Sequence, residues 1–353
     1  MTKTMKAVQW NQVTKNVEIN QVPIPVPGKN QILVRIASAS LCHSDLMAMG
    51  DGYISTSVSR PKPITLGHEG AGWVDTLGPG SEGKGFKKGD AIGFLYIIGC
   101  CFECEGCKVH NNHCLRQTSH TQGFTLDGFF AEYALTDWHS AIVLPEELDV
   151  KVSAPIFCAG ITSFHCVESC ELKPGETLAI IGCGGLGQLA CQYAKAMGYK
   201  VIGIDISGEI LAVCKAQGAD YVFNSRTDKE YVKGIKELTG GKGVDTVAVF
   251  SAASQAYDSA PLIVKLGGVI LVAGLPEKGV TFNALAIALG TFKVRGDSTG
   301  TPDRMPRAIE FIAKNKIQPE VEIYHSLDDV PAMIEKMKAG KSTKRMVVSM
   351  MEA

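Results

Sequence analysis

The sequence predicts an α/β fold in which a β-rich segment precedes a doubly wound, parallel, six-stranded sheet, and three observations carry that prediction. Up to about residue 150 the chain consists of short alternating runs such as QILVRIA, broken by Gly/Pro stretches such as PVPGKN and LGPGSEGKGFKKGD, a pattern of strands and irregular loops. From Lys173 onward, apolar strand-like runs alternate with helical periodicity. Where the second texture begins, a glycine-rich turn joins a strand to a helix.

The elements of the second texture follow in order. ETLAIIG reads as a buried strand, LGQLACQYAKAMG as a helix closed by Gly198, and KVIGID as the next strand. A helix from Ile210 to Gln217, strand DYVFN, a helix from Lys229 to Leu238, strand DTVAVF, a helix from Ser254 to Val264 and strand GVILVAG continue the series. FKVRG completes six strands. The remaining tail, through RMPRAIEFIAKNK and DDVPAMIEKMKAG to KRMVVSM, exceeds what such a sheet needs and is expected to return to the N-terminal domain.

Size and charge narrow the function. A chain of 353 residues exceeds one ordinary compact domain. Its 35 Lys and Arg nearly cancel 36 Asp and Glu, so it lacks the long-range field of a nucleic-acid or acidic-membrane binder, and small neutral partners are expected. No apolar core of signal-peptide length opens MTKTMKAVQWNQVTKN, and no apolar run reaches the ~18 residues of a membrane span. A cytoplasmic protein is expected, with its twelve cysteines reduced and placed in metal sites or the core. Five of them fall within Cys100–Cys114, while Cys42, Cys158, Cys166, Cys170, Cys183, Cys191 and Cys214 are scattered.

In AIIGCGGLGQLA, Gly182, Gly184 and Gly187 form GxGxxG directly between strand and helix, with Gly185 and Leu186 completing the turn. Such glycines permit a tight turn, close approach to a pyrophosphate and close helix packing, while the helix N-terminus supplies amide donors. Asp205 ends the next strand, 18 residues beyond Gly187, where a carboxylate accepts hydrogen bonds from a ribose and repels a 2′-phosphate. NAD is therefore expected over NADP, and no Arg lies in the following ISGEIL to offset the repulsion.

CCFECEGCKVHNNHC holds Cys101, Cys104, Cys107 and Cys114 at C-x2-C-x2-C-x6-C spacing. Four thiolates so spaced close a tetrahedral zinc site, which leaves no position for substrate and is structural. Spacing alone leaves an iron–sulfur cluster open, and Cys100 and His113 are neighbours able to replace a ligand. SLCHSDL and ITLGHEGAG bring Cys42, His43, Ser44 and Asp45, and then His68 and Glu69, the residue types of a catalytic zinc with an open position. The third ligand is not legible from these segments.

CHSD…GHEGAG, the four-cysteine lobe, APIFCAGIT, GCGGLG and MKAVQW…VPIPVPGKNQILVRI together resemble the zinc-dependent medium-chain alcohol dehydrogenases along essentially the whole chain, closest to fungal and yeast-like members. The resemblance implies a GroES-like catalytic domain (1–157 and 299–353) with a Rossmann NAD-binding domain (158–298) inserted, two zinc ions per chain, and a homodimer or homotetramer. It implies Cys42, His68 and Cys158 as catalytic zinc ligands with Glu69 beside the metal, Asp45 orienting His68, and His43 and Arg345 at the cofactor pyrophosphate. Thr162, Val272, Ala273 and Leu275 would line the nicotinamide pocket. An alcohol would exchange a hydride with NAD(H) to give its aldehyde or ketone, with Ser44 as first proton carrier. The glycines around His68 and Glu69 are expected to leave room for metal, alcohol and nicotinamide.

Other readings are an NADPH-dependent carbonyl reductase on the same fold and a zinc-supported binding module without catalysis. Four departures from the family pattern stand out. Met47 occupies the place of a relay histidine, the cysteine lobe has six residues before its last Cys rather than seven, and Ile210 stands where a lysine is common. The segments GDGYISTSVSRPKPIT and TLGPGSEGKG are long or divergent, the former expected to shape the substrate entrance.

Overall fold

The computed structural model describes residues 3–50 and 62–350. They divide into two compact units: one runs to Cys158 and includes Gly300–Lys316 and the chain from Val321, and the other comprises Ala159–Thr299 and Ile317–Glu320. Most of the segment expected to shape the substrate entrance lies outside the described residues.

The first unit contains β1 (Thr4–Asn11), β2 (Asn16–Pro23), β3 (Gln31–Leu41), α1 (His43–Met49), β4 (Ile64–Thr65), β5 (Glu69–Leu77), β6 (Ala91–Phe94) and β7 (Ile97–Ile98). After these come α2 (Glu105–Val109), β8 (His120–Thr121), β9 (Tyr133–Asp137) and β10 (Ala141–Val143). In β3, apolar Ile32, Val34 and Ile36 recur at period two and are buried with Phe94, Phe129 and Phe130, so the strand's inner face forms the core of this unit. Burial of three aromatic rings at this point contributes several kcal/mol, since truncating one buried Phe to Ala typically costs about 3–5 kcal/mol.

The second unit contains α3 (Ala159–Glu168), β11 (Thr177–Ile181), α4 (Gly185–Ala196), β12 (Lys200–Asp205), α5 (Gly208–Ala216) and β13 (Tyr221–Asn224). It continues with α6 (Tyr231–Leu238), β14 (Val244–Val249), α7 (Ser254–Ile263), β15 (Val264–Val272), α8 (Ala284–Ala288) and β16 (Phe292–Gly296). The six strands lie in the order β13-β12-β11-β14-β15-β16 and every pairing is parallel. This is the doubly wound arrangement, whose strand order reverses beside β11. Because all strands run the same way, the turn after β11, Asp205 at the end of β12 and Ala273 after β15 share one edge of the sheet.

The tail supplies α9 (Met305–Lys314), β17 (Val321–Tyr324), α10 (Val330–Lys338) and β18 (Arg345–Ser349). β18 pairs antiparallel with β3, completing the order β10-β6-β5-β3-β18-β17 in the first unit. Two registers in this sheet decide the site. Ser40 on β3 faces Glu69 on β5, and Met346 on β18 faces Leu41, which brings Arg345 level with the chain just past the end of β3.

Candidate active site

Cys42 follows β3 directly and caps α1, His68 and Glu69 open β5, and Cys158 follows a short 3-10 turn at Ala154–Phe157. The two sulfurs, an imidazole nitrogen and a carboxylate oxygen of these four residues all lie within 4.8 Å of one another. Cys42, His68 and Glu69 are buried and Cys158 is half-buried. Asp45, fully buried, ties two of these residues together: the Cys42 amide donates to its Oδ2 over 2.9 Å, and His68 Nδ1 lies 2.7 Å from its Oδ1. With Nδ1 so engaged, Nε2 is the nitrogen left for a metal.

The electrostatics of this cluster are those of a cation site. Burial alone would lower the pKa of His68, yet the charge and hydrogen bond of Asp45 carry it well above the ordinary histidine value. A hydrogen bond from Cys158 holds the Cys42 thiol well below the usual range against the effect of burial, and Cys158 is raised correspondingly. Glu69 is pushed up to about 7 by burial, an effect the Arg345 guanidinium opposes. Arg345 Nη2 and Ser40 Oγ both donate to Glu69 Oε2. Two thiols, an imidazole and a carboxylate around one buried point form the donor set of a catalytic zinc, so the residues fit the metal.

Cys101, Cys104, Cys107 and Cys114 also converge, their four sulfurs within 4.8 Å of one another. The shortened spacing closes because a 3-10 turn, Asn111–His113, follows α2 and delivers Cys114. The Cys104 sulfur accepts the amides of Leu115 and Cys107 over 3.3 and 3.4 Å, which lowers its pKa. Cys114 is lowered to about 6, chiefly by the Cys101 amide. Cys100 turns aside to donate to the Asn111 carbonyl, 3.5 Å away. Four converging sulfurs, with backbone amides favouring the thiolate at Cys104 and Cys114, fit a closed structural zinc.

The glycines around His68 act differently from the sequence-based expectation. A Cβ on Gly67 (φ +91°) would stand 2.7 Å from the Phe130 ring, one on Gly70 within 2.9 Å of Phe94 and Phe129, and one on Gly72 only 2.3 Å from the Arg35 carbonyl. They let aromatic rings and β3 close on the strand and do not open space beside His68. The His68 ring instead packs in a three-ring cluster with Tyr96 and Phe124, with centroids 5.1 and 4.9 Å away. Sequence reasoning missed Tyr96, Phe124 and Ser40 because no local spacing links them to His68.

Ser44 Oγ lies 4.0 Å from Cys42 Sγ, while His43 is exposed on the first turn of α1. Arg345 is 7% exposed, and its Nε is buried without a hydrogen-bond partner among the described residues.

In the second unit, Gly182 (φ +91°) adopts a backbone that L side chains rarely take, and a Cβ on Gly187 would lie 2.1 Å from the Gly182 carbonyl. Around Gly184 there is open space, and it caps α4 without any side-chain hydrogen bond, so the helix amides are left for a phosphate. Asp205 Oδ2 accepts the Cys183 amide over 2.8 Å, and Oδ1 accepts the amides of Ile206 and Ser207. Thr162 is buried on α3, whose Ser163 Oγ donates to the Leu186 carbonyl over 2.9 Å. Val272 ends β15, Ala273 is buried and Leu275 is exposed. This turn fits a dinucleotide.

Residues 28–146 match the family model described as the alcohol dehydrogenase GroES-like domain, and residues 185–314 match that of the zinc-binding dehydrogenases. An alcohol dehydrogenase of Geobacillus stearothermophilus is 35% identical over 351 residues, covering 99% of this chain and 100% of that one. Among solved structures, the alcohol dehydrogenase of the archaeon Aeropyrum pernix superposes with a TM-score of 0.86 at 29% identity, over 98% of this chain and 99% of its own. The acetophenone reductase of Geotrichum candidum, solved in complex with NAD, gives 0.84 at 25% identity over 99% and 98%. With both domains matched in order and a curated relative aligned end to end, the chain belongs to the zinc-dependent medium-chain alcohol dehydrogenases.

Proposed function

We propose that this protein is a zinc-dependent alcohol dehydrogenase that interconverts an alcohol with its aldehyde or ketone using NAD(H). The observation that carries the reading is the convergence of Cys42, His68 and Cys158 on one buried point with Asp45 fixing the imidazole from behind. When bound, zinc supplies Lewis-acid polarisation of the substrate oxygen, and the nicotinamide supplies a hydride acceptor.

The chain's own residues do the rest. Cys42, His68 and Cys158 hold the catalytic metal, and Cys101, Cys104, Cys107 and Cys114 hold a second, structural one. Asp45 positions His68 and the Cys42 amide together, so metal geometry and helix α1 move as one. Ser44 Oγ takes the substrate's proton first, and because Met47 cannot accept it, the proton passes to solvent without a side-chain terminus at that position. Glu69, held by Arg345 and Ser40, is a carboxylate kept beside the metal. His43 and Arg345 are assigned to the cofactor pyrophosphate, the latter through a buried Nε that no acceptor among the described residues satisfies.

Gly182, Gly184, Gly185, Leu186 and Gly187 cradle the dinucleotide, Asp205 takes the ribose, and Thr162, Val272, Ala273 and Leu275 line the nicotinamide. NAD is preferred over NADP because Asp205 repels a 2′-phosphate and residues 206–211 contain no Arg or Lys. The NAD complex of the acetophenone reductase supports that preference. The enzyme works as a homodimer or homotetramer. In support, the edge of β16 is open among the described residues, and beside it Leu285, Ile287 and Leu289 of the α8 segment are exposed. No helix of the described residues is long and apolar enough to cross a membrane. A cytoplasmic location agrees with twelve free thiols.

The test combines metal analysis with NADH absorbance across a panel of primary, secondary and aromatic alcohols and their carbonyl products, each with NAD and with NADP. Two zinc ions per chain and NAD-linked turnover are expected. Zinc retention without dinucleotide binding would replace this reading with a binding module.

A further inference from the structure

Beneath the dinucleotide turn lie three thiols that the proposed reaction does not use. Cys183 stands inside the turn between Gly182 and Gly184, Cys191 is on α4, Cys214 is on α5, and all three are fully buried. Cys183 Sγ lies 3.7 and 3.6 Å from the Ile180 and Ile204 carbonyls. Cys183 and Cys214 rest on Gly203 of β12, where a Cβ would lie 2.9 Å from Cys214 Sγ and 3.1 Å from Cys183 Sγ, so the glycine makes the pocket these two sulfurs share. Cys191 Sγ points to the Cys214 and Gln217 carbonyls, 3.6 and 3.7 Å away. Of the two thiol pairs, Cys183–Cys214 is the one that joins the turn to another element.

We propose that Cys183 and Cys214 form a reversible disulfide that weakens dinucleotide binding at the Gly182–Gly187 turn, an inference that rests on the dinucleotide reading given above. The oxidant is a low-molecular-weight disulfide. Both S–H bonds break and one protein S–S bond forms, the oxidant's S–S bond is cleaved, and its two halves leave as thiols carrying the two protons and two electrons. The neighbouring Cys183 and Cys191 thiols hold Cys214 below the usual thiol range, which favours it as the attacking sulfur.

The mechanical consequence follows from the turn's tightness. A bonded pair needs a sulfur separation of about 2.05 Å, shorter than any thiol hydrogen bond, so Cys183 must move toward α5. Its amide is held by Asp205 Oδ2 at 2.8 Å, and the Gly182–Gly187 approach leaves no slack. Closing the S–S bond therefore pulls the amide off Asp205 and distorts the phosphate cradle. Burial makes the reaction slow, because the oxidant reaches the thiols only when α5 opens.

The experiment uses the full-length, zinc-loaded protein equilibrated in buffers of graded oxidised to reduced glutathione. After quenching with an alkylating agent, peptide mass spectrometry identifies the linked pair, NADH fluorescence gives affinity, and zinc is counted. A Cys183–Cys214 peptide, NADH affinity reduced at least tenfold, unchanged zinc and recovery with dithiothreitol are expected. Saturating NADH must, by reciprocity, shift the pair toward the dithiol by the same factor, about 30 mV for tenfold.

Cys214→Ala and Cys214→Ser are expected to keep NADH affinity in every buffer, and Cys191→Ala to respond like the parent chain. Absence of the linked peptide at the most oxidising ratio overturns the proposal, as does an equal loss of affinity in both Cys214 variants. NADH affinity that survives linkage sinks this proposal alone, whereas reduced protein that binds no NADH sinks the dinucleotide reading with it.

Discussion

The two clusters of the first unit proposed to hold metal are built on opposite plans. The lobe draws four identical donors from Cys101 to Cys114, leaves Cys101 and Cys104 half-exposed, and favours the thiolate at Cys104 with the amides of Cys107 and Leu115. The other cluster collects Cys42, His68 and Cys158 from three separate segments and surrounds them with side-chain charges, Asp45 behind His68 and Arg345 against Glu69. Four thiolates fill every position of a tetrahedral metal and leave nothing open. A mixed donor set with ionisable neighbours leaves a coordination position and a tunable field, which is what chemistry requires.

Substitution at the two clusters puts that contrast at risk. Removing a ligand from the mixed cluster, as in Cys158→Ala, is expected to lower kcat/KM by roughly 10³-fold or more while one zinc per chain remains and the thermal midpoint moves little. Loss of both zincs from that variant would erase the distinction between the clusters. In the lobe the expectation inverts: Cys104→Ser lowers the midpoint by about 5–10 °C and drops one zinc, yet the folded fraction keeps activity within about twofold when assayed cold.

Smaller effects sharpen the same comparison. Asp45→Asn keeps the shape and removes the charge behind His68, and about 10–100-fold in catalytic zinc affinity or turnover is expected to go with it. Competition with a chelator, read alongside turnover, measures this. If Asp45→Asn bound zinc as tightly as the parent, the buried carboxylate would be a packing group only. The Lys108–Glu105 pair on the lobe is the opposite extreme, with both side chains mostly exposed. Glu105→Gln is expected to move the midpoint by about 1 °C or less in calorimetry, because an exposed ion pair is screened and its side chains lose entropy on pairing.

The contrast also explains why one cluster is legible in the sequence and the other only in part. Ligands confined to fourteen consecutive positions leave a local signature, so the lobe can be read from spacing, and even its shortened last interval closes through one 3-10 turn. The GxGxxG turn is equally local, and the glycine backbone at Gly182 and Gly187 matches what the motif requires. Cys158 carries no such signature and is reachable only through family resemblance. The glycines beside His68 mislead a local reading because their constraint lies in Phe94, Phe129 and Phe130, far away in the chain.

Local sequence thus settles whatever a run of about fifteen residues encodes: the strand and helix periods, the glycine-rich turn and the cysteine lobe, to which composition adds a balanced net charge. The remaining features belong to the folded chain. The β3–β5 register set Ser40 on Glu69, the β3–β18 register set Arg345 beside them, and the close packing of β12, α4 and α5 gathered the three thiols under the turn. The physical reason is that register and packing are settled by the whole buried surface at once, and a pairing between residues 69 and 345 has no trace in the neighbours of either.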